Sequence, residues 1–383
     1  MSVTFPRGFQ ASGVSAGIKG SGAKDLALVV NDGPLKSAAA RFTSNRVKAA
    51  PVLWSEQALQ DGRVDAVILN SGGANACTGS EGFLDAHCTA EFVADLLNVS
   101  ASDIAVCSTG LIGIRLPMDR LIDGATAAHS LLSPAGGIDA AFAIMTTDTV
   151  PKTVEFESDG IRMGAMAKGA GMLAPALATM LVVITTDAIA DAQLLDQILG
   201  SVVERTFNRI DSDGCTSTND TVLLLASGAS AIALSESKLE EMLLHVCQDL
   251  ARQLIADAEG VSKEVAINVI NAATETDAVE VGRACARNNL LKCALHGEDP
   301  NWGRVLAAVG TTNAVFDPNQ IDVAINGITL CRGGSIGDDR ELVDMSGRLV
   351  EIVIDLKAGI SSATIWTNDL TAEYVHENSA YSS

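Results

Sequence analysis

The segment from Lys168 to Leu181 brings together residue types that can support acyl chemistry. It reads Lys-Gly-Ala-Gly-Met-Leu-Ala-Pro-Ala-Leu-Ala-Thr-Met-Leu, so a lysine and small residues precede Thr179, which opens a strand-like stretch. Composition alone favours a glycine-rich turn leading into a core strand, with Thr179 as an ordinary strand former. The alternative is that the Thr179 hydroxyl cuts the peptide bond between Ala178 and Thr179 through an N-to-O acyl shift. Spacing alone does not decide between the two.

Such a cleavage would let one residue supply both the nucleophile and the base. A free α-amine has a pKa of ~7.7 to 8.0, so near neutral pH much of it is unprotonated and can take the proton of its own hydroxyl. A chain of this kind needs no catalytic histidine. The histidines here are isolated in sequence and indicate neither a catalytic triad nor a metal site: His87, His129, His245, His296 and His376.

Two further motifs match known sequence patterns but lack the neighbouring secondary structure that those patterns require. Gly13–Gly17 has the GxSxG form of a hydrolase elbow, but only a polar N-terminal dozen residues precede it, where the elbow needs a buried strand. Gly169–Ala174 has the GxGxxA form of a dinucleotide-binding loop, but a strand-like stretch follows where a helix is required. We therefore expect neither function.

The elements that must position these residues alternate along the chain. Short stretches rich in β-branched residues predict strands at 25–30, 64–70, 104–107, 180–184, 221–226, 265–270, 321–325 and 352–355. Apolar positions at helical spacing predict helices at 81–97, 191–207 and 238–257, the last with Ser235 or Ser237 at its start. The alternation indicates a mixed α/β fold whose sheets are covered by helices.

Composition and charge exclude several classes of function. Hydrophobic residues make up 48% of the chain and charged residues 19%, which is typical of a globular protein with a large core. The formal net charge of −21 repels nucleic acids and anionic membranes, and no apolar run reaches the ~18 residues of a spanning helix. The eight cysteines form no CxxC pair, and the N-terminus lacks a basic and apolar leader, so we expect a cytoplasmic protein with reduced thiols. Composition marks no domain boundary.

Ordered motifs along nearly the whole chain resemble the glutamate N-acetyltransferase (ornithine acetyltransferase) family. The segment around Thr179 is similar to the family's cleavage site. The other matching segments are Arg7-Gly8-Phe9, Ile18-Lys19, Asp25-Leu26-Ala27-Leu28, residues 70–79 (NSGGANACTG), 108–113 (STGLIG), 146–152 (TTDTVPK), Phe207-Asn208-Arg209, 216–221 (TSTNDT), 299–304 (DPNWGR), and 369–378 at the tail. The sequence departs from the common pattern at Gly73, Ala176, Ser212 and Cys215.

The resemblance implies a layered α/β/β/α sandwich and a self-cleaved enzyme. Thr179 would be the nucleophile, and cleavage between Ala178 and Thr179 would give an α chain, residues 1 to 178, and a β chain, residues 179 to 383, which form one intertwined catalytic unit. Two such αβ units would make a dimer. Thr109 and Gly110 would form the oxyanion hole, and the family's substrate-binding positions correspond to Thr146, Lys168, Thr179, Glu259, Asn378 and Ser383.

The activity that the resemblance implies is transfer of an acetyl group from N-acetylornithine to glutamate in arginine biosynthesis, through an acetyl-Thr179 intermediate. No metal or organic cofactor is needed, and acetyl-CoA stays open as a further acetyl donor. We assign Lys168 to the α-carboxylate of the substrate and Glu259 to its side-chain ammonium by charge complementarity; taken alone, each would be a solvated surface charge. The alternative activity is that of an N-terminal-nucleophile aminopeptidase or amidase, in which water accepts the acyl group.

Overall fold

The computed structural model describes residues 1–173 and 180–380. These residues form two compact units. The larger unit contains residues 1–208 and 215–254, and the smaller contains residues 209–214 and 255–380. The chain passes from the larger to the smaller unit near Ile255, at the end of a helix. Both units are α/β in character, so the passage leaves no mark in composition.

The larger unit contains two mixed sheets. Its strands are β1 (Phe9–Val14), β2 (Leu26–Asn31), β3 (Ser37–Phe42), β4 (Ala66–Asn70), β5 (Ile104–Ser108), β6 (Lys152–Ser158), β7 (Ile161–Lys168), β8 (Leu181–Thr186) and β9 (Thr221–Ala226). The first sheet has the order β1-β2-β4-β5 and the second has the order β3-β9-β8-β7-β6. Pairing is antiparallel in both sheets except between β4 and β5 and between β8 and β9.

The helices of this unit are α1 (Ala50–Ala58), α2 (Gly79–Leu97), α3 (Met118–Ser130), α4 (Gly137–Ile144), α5 (Ala192–Arg205) and α6 (Glu236–Ala256). Ala140 and Ile144 of α4 belong to the core between the two sheets. Val29 and Leu69 of the first sheet share one core with Val183 and Leu223 of the second, so the two sheets face each other. Helices α2 and α3 pack on the other face of the first sheet, while α5 packs on β3 and α6 bonds to β6 through Gln253. The expected α/β/β/α sandwich is confirmed.

The smaller unit is built on a single sheet. Its strands are β10 (Glu264–Ala272), β11 (Asp322–Ile325), β12 (Ile328–Arg332), β13 (Ser335–Ile336), β14 (Leu349–Asp355) and β15 (Ser361–Asn368), in the order β13-β12-β11-β14-β10-β15. Its helices are α7 (Glu275–Ala286), α8 (Asn289–His296), α9 (Trp302–Val309) and α10 (Ala372–Ala380). Alternate residues of β10, including Val265 and Ile267, join α7, α8 and α9 in one core. The period of two along β10 thus fixes which face is buried.

All of the predicted strands and helices occur, with small shifts at their ends. The strand predicted at 221–226 has the observed bounds, and the helix predicted at 191–207 ends earlier, at Arg205. Asp191 caps that helix by accepting the Leu194 N–H at 2.8 Å, and the Ser235 hydroxyl accepts the Lys238 N–H at the start of α6. Several strands were not predicted, among them β3, β6 and β7.

The expectation that no buried strand precedes the GxSxG segment is wrong. Residues 9–14 form a largely buried strand, β1, so the GxSxG segment does follow a strand. The strand includes Gly13 itself, however, and no helix follows the exposed Ser15, so the geometry of a hydrolase elbow is still missing. No helix within residues 1–173 and 180–380 has the length and apolar character to cross a membrane.

Candidate functional site

Lys168 and Leu181 mark the two ends of the segment that contains Thr179. Lys168 ends β7, Leu181 begins β8, and the two residues pair with each other across the antiparallel strands. Leu173 and Met180, which border residues 174–179, are both buried. Ala178 and Thr179 lie outside the described residues, as does Ser383. The described part of the site consists of the side chains around this strand pair.

The turn after β5 carries the two residues expected to form an oxyanion hole. Thr109 is buried, its N–H donates to the Asn70 carbonyl at 2.9 Å, and it forms a bridge with Gly73. Gly110 has a φ of +129°, and a Cβ atom there would lie 2.7 Å from the Gly73 nitrogen. Glycine is therefore required at position 110 both by backbone conformation and by space. The two residues thus form a turn at the end of a strand, and their role in catalysis stays a prediction.

A buried polar network fixes this turn. The Ser108 hydroxyl donates to Asn70 Oδ1 at 2.5 Å, and Asn70 Nδ2 donates to the Gly73 carbonyl at 2.9 Å. Asn219 Nδ2 donates to the carbonyls of Ala74 and Ser108 at 2.6 and 2.8 Å. The network uses only the backbone of Gly73, so the departure from the common family pattern at this position leaves the network intact. Sequence reasoning noted the motifs of Asn70 and Asn219 but assigned neither residue a role.

Lys168 lies inside the protein next to the same turn. Its side chain is 1% exposed, and its ammonium donates to the Thr109 hydroxyl at 3.4 Å. The view of Lys168 as a solvated surface charge is therefore wrong. A buried ammonium requires anionic or polar partners, and here a neighbouring carboxylate supplies the opposite charge.

That carboxylate belongs to Asp148, which interacts with the charge of Lys168 and accepts a hydrogen bond from Thr146. Asp148 accepts from the Lys152 ammonium at 2.6 Å, from the Gly169 N–H at 2.7 Å and from the Thr146 N–H at 2.9 Å. Burial alone would raise the pKa of Asp148, but the ammonium groups of Lys168 and Lys152 and the Gly169 hydrogen bond together lower it to about 2. Asp148 is thus an anion at cellular pH. The motif that contains Thr146 also contains Asp148 and Lys152, whose contributions were not foreseen.

A third lysine, Lys19, lies near Asp148. The Lys19 ammonium donates to the Met145 carbonyl at 2.6 Å, beside Thr146. Partial burial lowers the pKa of Lys19, Asp25 opposes this effect, and the positive charge of Lys168 adds to it. The larger unit therefore gathers Lys19, Lys168, Thr146 and Thr109 around one buried carboxylate.

Glu259 and Asn378 lie in the smaller unit, where the structure brings them together. Asn378 Nδ2 donates to Glu259 Oε2 at 2.9 Å and to the Tyr374 carbonyl at 3.0 Å. Burial, together with the charges of Glu259 and Glu373, raises the pKa of the nearby Glu377. This cluster of carboxyl groups creates a negative potential that favours a cationic group.

Comparison with known proteins places these features in a family context. The family model described as ArgJ family matches residues 10–383. The chain is 64% identical to the arginine biosynthesis bifunctional protein ArgJ of Streptomyces coelicolor over 383 residues, and 62% identical to the protein of that name from Thermobifida fusca over 382 residues. Each alignment covers 100% of both chains.

A solved structure is also similar. The ornithine acetyltransferase of Mycobacterium tuberculosis, complexed with ornithine, is 52% identical to this chain where the two align. The alignment covers 47% of this chain and 96% of the other, with a TM-score of 0.42.

Proposed function

We infer the function of this chain from its family, because the chain belongs to the ArgJ family: it is an acetyltransferase of arginine biosynthesis. The match to relatives of the same length at 62 and 64% identity supports this function over the aminopeptidase or amidase alternative. The reaction that we propose moves an acetyl group from N-acetylornithine to glutamate.

We propose that the chain first cuts itself before Thr179. The Thr179 hydroxyl oxygen would bond to the carbonyl carbon of Ala178, the carbon–nitrogen bond would break, and the nitrogen would take the hydroxyl proton. Water would then hydrolyse the ester. Strands β3, β6 and β7 precede the cut and β8 and β9 follow it, yet all five pair in one sheet. This pairing supports an α chain, 1–178, and a β chain, 179–383, that stay together as one catalytic unit.

Acetyl transfer would then proceed in two steps at Thr179. Its free α-amine takes the hydroxyl proton, and the hydroxyl oxygen attacks the acetyl carbonyl carbon of N-acetylornithine. Ornithine leaves with that proton as the acetyl ester forms. The glutamate amine then attacks the ester carbon, the bond from that carbon to the Thr179 oxygen breaks, and the oxygen takes a proton from the amine as N-acetylglutamate leaves. We assign the stabilisation of both oxyanions to Thr109 and Gly110, because donors aimed at such an oxygen are worth ~3 to 4 kcal/mol each.

The observation that carries this assignment is the buried contact between Lys168 and Thr109. It places an ammonium and a hydroxyl, both shielded from water, at the end of the strand that leads into the Thr179 segment. In a site of low dielectric constant, a positive charge stabilises a developing oxyanion and a substrate carboxylate far better than it does in water.

We propose that residues of both charge clusters bind substrate groups. We propose that Lys168 and Thr146 bind the α-carboxylate that N-acetylornithine and glutamate share. Glu259, held by Asn378, would bind the ornithine ammonium, and Ser383 would complete the site from the C-terminus. No organic cofactor or metal takes part in these steps, and acetyl-CoA stays a possible second donor. We also propose that the protein is cytoplasmic and forms a dimer of αβ units.

The experiment that tests the function compares the wild-type chain with Thr179→Ala. We expect mass spectrometry of the wild-type protein to show two fragments divided before Thr179, and Thr179→Ala to remain intact and inactive. Thr179→Ser, which keeps a hydroxyl, is the control and should still be cut. Incubation with N-acetylornithine and glutamate should yield N-acetylglutamate rather than free acetate. An intact wild-type chain that transfers acetyl groups would rule the mechanism out.

A further inference from the structure

Asp220 holds the backbone of Met180, the residue that follows Thr179. Asp220 comes directly before β9 and is fully buried, and its Oδ1 accepts the Met180 N–H at 3.1 Å. The next residue, Thr221, donates its N–H to the Met180 carbonyl at 3.1 Å. Both polar groups of the Met180 backbone are therefore tied to the start of the neighbouring strand.

The backbone of Asp220 is itself anchored. Its carbonyl accepts the Thr43 N–H at 2.9 Å, which connects it to the end of β3. Met180 is thus linked through Asp220 to two other strands of the same sheet. A position held in this way can move little, because shifting it breaks several buried hydrogen bonds together.

The second carboxyl oxygen of Asp220 is unusual. Oδ2 is buried and has no hydrogen-bond partner within residues 1–173 and 180–380. Burial raises the pKa of Asp220 well above its usual range, although hydrogen bonds from the Met180 N–H, the Thr43 hydroxyl and the Ser217 N–H and the charge of Lys168 oppose the rise. A buried oxygen without a hydrogen-bond partner destabilises the fold, which points to a role for this side chain beyond stability.

We propose that Asp220 is a positioning residue for the reactions of Thr179, which holds the chain at Met180 so that the adjoining hydroxyl is kept in line with the carbonyl carbon it attacks. This inference rests on the proposed function. Asp220 itself exchanges no atoms with the substrate. In the cleavage step the bond from the Thr179 oxygen to the Ala178 carbon forms as the carbon–nitrogen bond breaks, and both events depend on the backbone geometry that Asp220 fixes.

Burial favours the neutral form of the Asp220 carboxyl group, and this form suits the base that the mechanism requires. A carboxylate beside the new N-terminus would favour the ammonium form of the Thr179 amine and so remove the base. A neutral carboxyl group accepts the Met180 N–H without this effect. Asparagine at position 220 should therefore substitute for aspartate in this role, whereas glutamate, with its longer side chain, should not.

The test compares Asp220→Ala, Asp220→Asn and Asp220→Glu in the full-length chain. Cleavage is followed during cell-free synthesis by quenching samples in denaturant and measuring the intact fraction, and kcat and KM are measured on the cleaved protein. We expect Asp220→Ala to slow cleavage and to lower kcat by about 10- to 100-fold, because small displacements of reacting groups have effects of this size. KM should stay unchanged, and Asp220→Asn should recover most of both rates.

Asp187→Ala is the matched control. Asp187 is also fully buried, follows the other end of β8, and accepts a backbone N–H, that of Arg162, at 2.8 Å. Its loss should lower the melting temperature without slowing cleavage or turnover. If Asp220→Ala does not fold, the rates of the other two variants test the inference. Faster cleavage and turnover in Asp220→Asn than in Asp220→Glu support it, and wild-type rates in both variants overturn it.

The outcomes separate this inference from the function on which it rests. A wild-type chain that is not cut defeats the proposed function whatever Asp220 does. A wild-type chain that is cut and transfers acetyl groups, with Asp220→Ala performing equally well, defeats only the inference. Equal losses in Asp220→Ala and Asp187→Ala would also defeat it, because they would show a general effect on folding.

Discussion

The Lys168 ammonium donates to the Thr109 hydroxyl at 3.4 Å although the two residues lie at the ends of strands from different sheets. Lys168 ends β7 of the five-stranded sheet, and Thr109 follows β5 of the four-stranded sheet. The contact therefore exists only because the two sheets pack face to face. It brings the proposed carboxylate-binding group and the proposed oxyanion donor into one buried site.

Replacing Thr109 should impair catalysis more than binding. Thr109→Ala removes the hydroxyl, and we expect kcat to fall by about 100- to 1,000-fold, the usual effect of losing one oxyanion donor. The KM for N-acetylornithine should change little, because the oxyanion exists only during the reaction. Steady-state kinetics would test this. Thr109→Ser keeps the hydroxyl and should retain most activity, whereas equal losses in the two variants would count against the assignment.

Neutralising Glu259 should distinguish the two substrates. The ornithine side chain carries an ammonium and the glutamate side chain a carboxylate, so Glu259→Gln removes a favourable interaction for the first only. We expect the KM for N-acetylornithine to rise by about tenfold or more, since a hydrogen bond to a charged group contributes ~1.5 to 3 kcal/mol. The KM for glutamate should not rise. Kinetics at varied concentrations of each substrate measure both values.

Glu373→Gln is the control for Glu259→Gln. Glu373 is an exposed residue of α10 that contributes to the same negative potential. Its neutralisation should change both KM values only slightly, because an exposed charge is screened by water and salt. If Glu259→Gln and Glu373→Gln change the KM for N-acetylornithine and the KM for glutamate to the same extent, Glu259 contributes only to the negative potential and does not bind the ammonium.

Asp148 should make the stability of the fold depend on pH in the acid range. The pKa of Asp148 is lowered from 3.8 to about 2 in the folded protein, so its contribution is fully present above pH 4 and is lost as the pH falls towards 2. The contribution is on the order of 2 kcal/mol. Asp148→Asn should therefore be less stable than the wild type at pH 6, and the difference should narrow at pH 3.

Urea unfolding at the two pH values measures this difference. Asp139→Asn is a suitable control, because the side chain of Asp139 is half exposed and its loss should change the free energy of unfolding by less than about 0.5 kcal/mol. A difference between wild type and Asp148→Asn that stays constant from pH 6 to pH 3 would show that Asp148 is not held as an anion by Lys152 and Lys168.

Local patterns in the sequence were enough to find many elements of the fold. The strand at 221–226 and the helix ending at Leu97 were predicted because β-branched runs and helical spacing of apolar residues act within one element. Strands β3, β6 and β7 were missed. Ser37–Phe42 is mainly alanine, and β6 carries charged residues on its exposed positions, so neither resembles a buried strand until its partners are known.

The sequence by itself determined the mixed α/β class, and its motifs identified Thr179, Thr109, Gly110 and Lys168 as the residues to consider. Only the tertiary structure decided that Lys168 is buried, that Asp148 neutralises it, and that Asp220 holds the backbone at Met180. The physical reason is that the environment of a charge depends on groups distant in sequence. Asp220 is 40 positions from Met180, and only the pairing of β8 with β9 brings them into contact.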